Sequence, residues 1–525
     1  MVTDNLTAMR KYLGIFIVTG FLAISFIACD DKIDALVEEL ELSRALSPHS
    51  LEALIRNRTT IELNWKVRDG VDHYIVQFSE DSLEFNDIIR ELTVLPSEIP
   101  IQETFFGDTR YSARIKAVAD GVADSKWTAI TIRTDPENIF LPFMPSEDAG
   151  ITEATLKWPA GQHVTRFVIN PGNIQRNISS GEVAAGEATI TDLDYDTDYA
   201  VTMYAGNSQR GSITFRTLMD PDCPTCVKLN PGQDISDAID AAAEGSIIVL
   251  TPGTYPDEDQ ISITKSITIQ GAVYYDKPLV YGQLSCGTTV GSIAVKSVIF
   301  SSDPGNVKGQ FFNATSTCNL TSLVLEDVEI RDYSNSFISS TSTSAVFGSI
   351  TITDAYVHSI PGGGGDGIDV RGGTIGSLTV SNSTFANGFR SFLRMQASCV
   401  SSFKNCTFYK VCGLDNSNNT GLFRSSGGGT LEVSSCLFVE TGVENPTAVQ
   451  AGNFCRNAGN MTATPTYSNN NIHGCMNLLV GLYTSASEIS ATELNPGFVD
   501  APNGDFTVTN QTLIDRQVGD KRWLK

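Results

Sequence analysis

The side chains with the clearest chemical potential are arginines. Three short segments each close on one: Ile368-Asp369-Val370-Arg371, Ser391-Phe392-Leu393-Arg394 and Gly421-Leu422-Phe423-Arg424. If Val370, Leu393 and Phe423 face a core, period two turns Arg371, Arg394 and Arg424 outward in a row. Asp369, Arg390, Phe392 and Leu422 then share that outer face. Guanidinium groups stacked about 4.8 Å apart repel by roughly 1 kcal/mol per pair even in water. Compensation is expected, either from Asp369 and nearby loop carboxylates or from a bound polyanion. Guanidinium forks grip carboxylates and sulfates through two parallel bonds, and each charge-assisted bond contributes about 1.5–3 kcal/mol. Arg371, Arg390, Arg394 and Arg424 are therefore candidate ligand contacts, and Phe392 is a candidate apolar platform for a sugar ring. Beside them Gly362 to Gly365, Asp366, Gly367 and Asp369 make a flexible acidic turn. Two carboxylates near such a turn offer Ca2+ the oxygen ligands it prefers, but fewer than a complete site needs.

Other constellations are weaker. The five histidines, His358 and His473 among them, are scattered and show no metal spacing. Cys223 and Cys226 form a single C-x2-C, which supplies two soft ligands where a structural zinc needs four. A local disulfide or free thiols suit that pair better than a metal. Paired outer-face aspartates of the kind an esterase needs are missing, because Phe392 and Leu422 occupy the positions matching Asp369. The clustered carboxylates of a glycoside hydrolase are not evident either.

What positions the arginines is a repeat. The pattern is Asp327-x-x-Ile330, Asp354-x-x-Val357, Asn382-x-x-Phe385, Asn405-x-x-Phe408, Ser435-x-x-Phe438 and Asn469-x-x-Ile472. Its last positions differ by 27, 28, 23, 30 and 34 residues. Such spacing suits one turn of a β-solenoid, with loops absorbing the variation. A single coil cannot bury its apolar residues, but stacked coils align like residues about 4.8 Å apart. Phe385, Phe408 and Phe438 are expected to stack inside, joined by Cys406 and Cys436 as small apolar groups. Asp327, Asp354, Asn382, Asn405 and Asn469 are expected at bends, bonding free backbone groups.

The preceding chain alternates differently. Ile61, Leu63 and Trp65, then Tyr74, Val76 and Phe78, then Tyr111, Ala113, Ile115 and Ala117 follow period two and predict half-buried strands. A second block repeats the plan with Leu156, Trp158 and the L-x3-T-x-Y run of Leu193, Thr197 and Tyr199. An early tryptophan and a tyrosine opening a late strand resemble the fibronectin type III sandwich, which assigns Trp65, Trp158, Tyr111 and Tyr199 to cores. Past a stiff linker at 220–226, a short amphipathic helix leads into Ile247 to Leu250, then Pro252-Gly253-Thr254-Tyr255 and the alternating isoleucines Ile261 to Ile269. This order resembles the opening of a pectate-lyase-like β-helix. The expected fold is all-β: fibronectin type III-like modules at 48–135 and 136–219, the linker, and a right-handed parallel β-helix over 227–525. Calcium-assisted β-elimination from uronic acids is common among pectate-lyase-like proteins. That resemblance would make Asp366 and Asp369 calcium ligands and Arg394 or Arg371 the base.

The N-terminus bears on the compartment. Arg10 and Lys11 precede an apolar run from Tyr12 to Ala28, which contains Phe26-Ile27-Ala28 and ends before Cys29. This resembles a bacterial lipoprotein signal peptide, implying cleavage of residues 1–28, lipidation of Cys29 and a tether over 29–47. Asp30, Asp31 and Lys32 follow, an acidic patch that looks like a surface-export signal of glycan-foraging bacteria. The cleavage leaves 34 basic and 59 acidic residues, a net charge of −25, which argues against nucleic acid and against broad binding to anionic membranes. With the tail Asn495-Pro496-Gly497-Phe498-Val499 and Gly519 to Trp523, the chain resembles a family of surface lipoproteins found with bacterial polysaccharide-uptake systems. The expectation is a cell-surface lipoprotein of the outer membrane. It would bind a polysaccharide, acidic in character, beside a glycan transporter complex. A polysaccharide lyase and a structural or partner-binding component of the uptake complex remain alternatives.

Overall fold

The computed structural model describes residues 43–525 except 316, 341, 362–365, 414–421, 426, 443–454, 457–460 and 476–490. The expected signal peptide, Cys29 and the first part of the tether lie outside the described residues. No helix among the described residues is long and apolar enough to cross a membrane.

The first alternating block closes into a sandwich. Strands His49–Arg56, Thr60–Lys66 and Ile101–Thr104 form one antiparallel sheet, and Arg90–Val94, His73–Ser79, Arg110–Val118 and Thr128–Arg133 the other. Ile61, Leu63, Trp65, Tyr74, Val76 and Phe78 are buried between them. The second block repeats this with Ala154–Lys157 and Glu187–Ile190 facing a four-stranded sheet that contains Asp198–Ala205. Each late tyrosine anchors its own corner. The Tyr199 hydroxyl accepts from the backbone N–H of Asp194 at 2.8 Å, and that of Tyr111 from Phe106 at 3.2 Å. A buried phenol needs such a partner. Burial pushes the Tyr111 hydroxyl up to about 12.

One buried arginine joins the sandwiches. Arg210 donates from Nε to Glu137 at 2.8 Å, from Nη1 to the His163 carbonyl at 2.7 Å and from Nη2 to Gln162 at 2.9 Å. Its guanidinium also lies 4.7 Å from the Phe106 ring centre. Farther along, Arg216 binds Asp196 at 2.7 Å and approaches Glu326 of the solenoid at 3.6 Å. Cys223 and Cys226 are joined as a disulfide, next to the point where strand Cys226–Leu229 begins the helix.

From there the chain winds as a parallel β-helix. Strand Cys226–Leu229 pairs in parallel with Ile247–Leu250, which pairs with Ile267–Gly271, and the ladder continues coil upon coil to Thr466–Ser468. Helix Ile235–Ala241 covers the first coil, with the Asp234 carboxylate capping its start through the Asp237 N–H. In a second sheet Ile330, Val357, Phe385, Phe408, Phe438 and Ile472 are consecutive partners. The ring planes of Phe408 and Phe438 lie within 9° of each other at 4.9 Å. Cys406 and Cys436 are fully buried, as expected for inward positions.

The bend residues Asp327, Asp354, Asn382, Asn405, Ser435 and Asn469 all adopt φ of 53–55°. This left-handed region is tolerated best by Asn and Asp, whose short side chains bond locally. The Asp327 and Asp354 carboxylates bond side chains, those of Lys277 and Ser297 and of Asn382, and not the free backbone groups expected. Asn382, Asn405 and Asn469, by contrast, find backbone partners in the chain terminus. Residues 494–525 do not form further coils but cross the ladder. Asn405 Nδ2 donates to the Gln517 carbonyl at 2.6 Å, Asn469 Nδ2 to Arg516 at 3.0 Å, and Asn382 Oδ1 accepts from the Lys521 N–H at 3.0 Å. Asp520, fully buried, accepts from Thr384 Oγ1 at 2.7 Å and pairs with Arg522 at 2.6 Å.

Candidate functional site

The three arginine-closing segments do lie on successive coils, but in a different register from the one expected. Ile368, Leu393 and Phe423 are partners, so Asp369 stands beside Arg394, and Arg394 beside Arg424. Arg371 falls two residues beyond the column. The reason is the strand period: Ile368 and Val370 both point inward and both are fully buried. Sliding by two keeps every side chain on its face, so alternation alone does not choose between the registers.

Compensation comes first from within. Arg371 grips Asp369 with two bonds, Nε to Oδ1 at 2.8 Å and Nη2 to Oδ2 at 2.6 Å. Donating hydrogen bonds to the Asp369 carboxylate raises the Arg371 pKa above its ordinary value. Arg390 Nε donates to Asp366 Oδ1 at 2.8 Å, and Arg394 Nη1 reaches Asp366 Oδ2 at 3.4 Å. Both carboxylates are almost wholly buried, Asp366 at 1% and Asp369 at 2% exposure. Arg371, Arg390 and Arg394 thus share two carboxylates among the described residues, with Arg424 half-buried beside Arg394 in the register. Two donors in the cluster, Arg390 Nη2 and Arg394 Nε, are buried without a hydrogen-bond partner among the described residues. The Arg390 side chain is only 9% exposed. A buried guanidinium N–H left unpaired carries a desolvation cost of about 1–3 kcal/mol or more.

Two further expectations are corrected. Phe392 is fully buried, 4.5 Å from Phe385 and 5.1 Å from Phe408 between ring centres, and cannot be a sugar platform. Leu422 is buried as well. The strand alternation starts only at Leu393. Ahead of it the backbone N–H groups of Phe392 and Leu393 both donate to the Leu422 carbonyl. At this bend period two does not hold, and Phe392 turns into the aromatic core. Asp366 and Asp369, expected as calcium ligands, do not fit that role. Their oxygens are committed to guanidinium groups, and a cation there would meet positive charge. The Gly362 to Gly365 turn lies outside the described residues. Among the described residues no group of three or more His, Cys, Asp or Glu is placed to hold a metal ion.

The column also contains residues that the motif search missed. Arg456 follows Arg424 in register. The signal was present: an apolar residue or cysteine before arginine recurs at Leu393-Arg394, Phe423-Arg424 and Cys455-Arg456. In the other direction Asp369 is preceded by Ser339, Asn313, Ser285 and Ser262, one per coil.

The fold and this face define the class: an all-β chain of two fibronectin type III-like sandwiches carrying a parallel β-helix. Within the helix, one family model, a domain of unknown function (DUF4957), matches residues 253–388. A second, a domain of unknown function (DUF5123), matches residues 401–523. No curated protein matches the chain. Among solved structures, a two-domain fibronectin type III segment of chicken tenascin aligns at 18% identity, over 32% of this chain and 97% of that one, with a TM-score of 0.22. Chicken CNTN1 domains FN1–FN3 align at 16% identity, over 33% of this chain and 66% of that one, with a TM-score of 0.15. The central fibronectin III array of RIM-binding protein aligns at 19% identity, over 34% and 65%, also with a TM-score of 0.15.

Proposed function

We propose that this chain is an exported, lipid-anchored glycan-binding protein whose β-helix engages an acidic polysaccharide through Arg390, Arg394 and Arg424. The observation that carries this reading is a pair of buried guanidinium donors, Arg390 Nη2 and Arg394 Nε, that have no hydrogen-bond partner among the described residues while both guanidinium groups share the one carboxylate of Asp366. An anionic substituent would supply the missing acceptors, each charge-assisted bond contributing about 1.5–3 kcal/mol. The sandwiches would act as a spacer between the membrane and the binding face. Lipidation at Cys29, surface exposure and association with a glycan transporter follow from the N-terminal sequence and from the resemblance to uptake lipoproteins.

Polysaccharide lyase activity draws less support. A base must release its own proton easily, and the Asp369 carboxylate makes Arg371 hold its proton more tightly.

Native gels containing acidic glycans test the binding. The wild-type chain is expected to be retarded, and the Arg394→Ala/Arg424→Ala double variant to migrate as in a glycan-free gel. Equal migration of both on every acidic glycan would refute the proposal. The anchor is checked separately, by loss of labelled fatty acid from a Cys29→Ala variant.

A further inference from the structure

The arginines occupy only one end of a longer register column. From Ser262 through Ser285, Asn313 and Ser339 to Asp369, Arg394 and Arg424, one residue per coil stands in the same row. Six steps of about 4.8 Å give a track of roughly 29 Å along the helix axis. Its upstream half carries only hydroxyls and an amide. There a groove of about 210 Å³ is lined by Gln260, Ser262, Thr264, Ser285, Thr288 and Thr315. Gln260 Nε2 donates to Ser285 Oγ at 2.7 Å, which orients both groups across neighbouring coils. Hydroxyls and amides donate and accept at once, as the hydroxyls of an uncharged sugar require of a partner. Of the cations beside this end, Lys308 is bound to Asp259 at 2.7 Å, and Lys265 donates to the Asp240 and Ala242 carbonyls, both at 2.9 Å.

We infer that the ligand is a linear glycan lying along the helix axis, with uncharged sugars over the Gln260 to Ser339 end and a sparse anionic substituent at the arginines. This rests on the glycan-binding reading above and narrows it: a polymer charged on every unit would place carboxylates over a half whose row carries no cation and whose flanking Lys265 and Lys308 are already hydrogen-bonded within the protein. The independent sign of a ligand at the charged end is Arg390, nine-tenths buried with Nη2 unpaired and sharing Asp366 with Arg394 of the column.

Calorimetric titration of the full-length protein compares sparsely charged linear probes, glucuronoxylan and gellan, with densely charged ones, polygalacturonate and alginate. At least one sparse probe is expected to bind about tenfold tighter than either dense one. A Gln260→Ala/Asn313→Ala variant should lose about fivefold for that probe, the scale of one or two neutral hydrogen bonds. It should retain the affinity of a short glucuronate-bearing trisaccharide. Dense probes binding as tightly as sparse ones would overturn the inference while leaving acidic-glycan binding intact. So would an unchanged affinity of the Gln260/Asn313 variant, whose folding is verified by circular dichroism. No binding of any of the four polymers would remove the inference and the glycan-binding reading together.

Discussion

At Asp366 one buried carboxylate faces two guanidinium groups, 2.8 Å from Arg390 and 3.4 Å from Arg394. Removing it would leave two desolvated cations with no counter-charge in contact among the described residues. Breaking a buried ion pair from one side typically costs about 3–5 kcal/mol. Asp366→Ala is therefore expected to lower unfolding stability by about that amount, measured by urea titration. A loss under about 1 kcal/mol would mean that the cluster is already neutralised by other means. Arg371 is a different case. Its bidentate partner Asp369 holds it, so it contributes order to the face more than a free positive charge.

At the scale of the element, the bend ladder couples the coils to the distant chain end. Asn405 sits at φ 53° and donates to the Gln517 carbonyl at 2.6 Å. Two substitutions separate these roles. Asn405→Gly removes the bond but relaxes the backbone, while Asn405→Ala removes the bond and also strains it. The alanine variant is expected to lose about 1–2 kcal/mol more than the glycine variant, the cost of a left-handed alanine, as read from denaturant midpoints at unchanged slope. Equal losses would show that the hydrogen bond, not the left-handed backbone, is what the asparagine supplies. The ladder was legible in the sequence because both its bend residue and its core residue repeat at each coil. The strap was not, because nothing in residues 494–525 repeats. Its contacts depend on which coil edge the chain end happens to reach.

Across the whole molecule, a short chain of contacts connects three bodies. Arg210 fastens the first sandwich to the second by stacking on Phe106 and by holding Glu137, which accepts from the Gly107 N–H, and Arg216 lies between the second sandwich and Glu326 of the solenoid. Under the proposed function, the spacer formed by the two sandwiches would then be stiff. In Arg210→Ala each sandwich keeps its own core, so the expected effect is freedom between modules and not unfolding. Solution scattering should show a broader distribution of dimensions, with the β-sheet circular dichroism unchanged. A scattering profile identical to wild type would show that the remaining contacts, such as the Phe106–His163 stack at 5.9 Å, hold the pair without the arginine.

The amino-acid sequence by itself determined the architecture of this protein. Alternation of period two defined the sandwich faces, and a repeat of about one coil length placed Phe385, Phe408 and Phe438 in one interior stack. Those signals are local, or repeat often enough to outvote a single misplaced segment. Tertiary structure alone decided the chemistry of the arginine face. A two-residue slip preserves the pattern of inward and outward side chains, yet it exchanges Arg371 for Asp369 as the neighbour of Arg394. Likewise, only the bend before Leu393 sends Phe392 into the core. Register and bends are set by how neighbouring coils pack, and that information is shared between residues far apart in the chain.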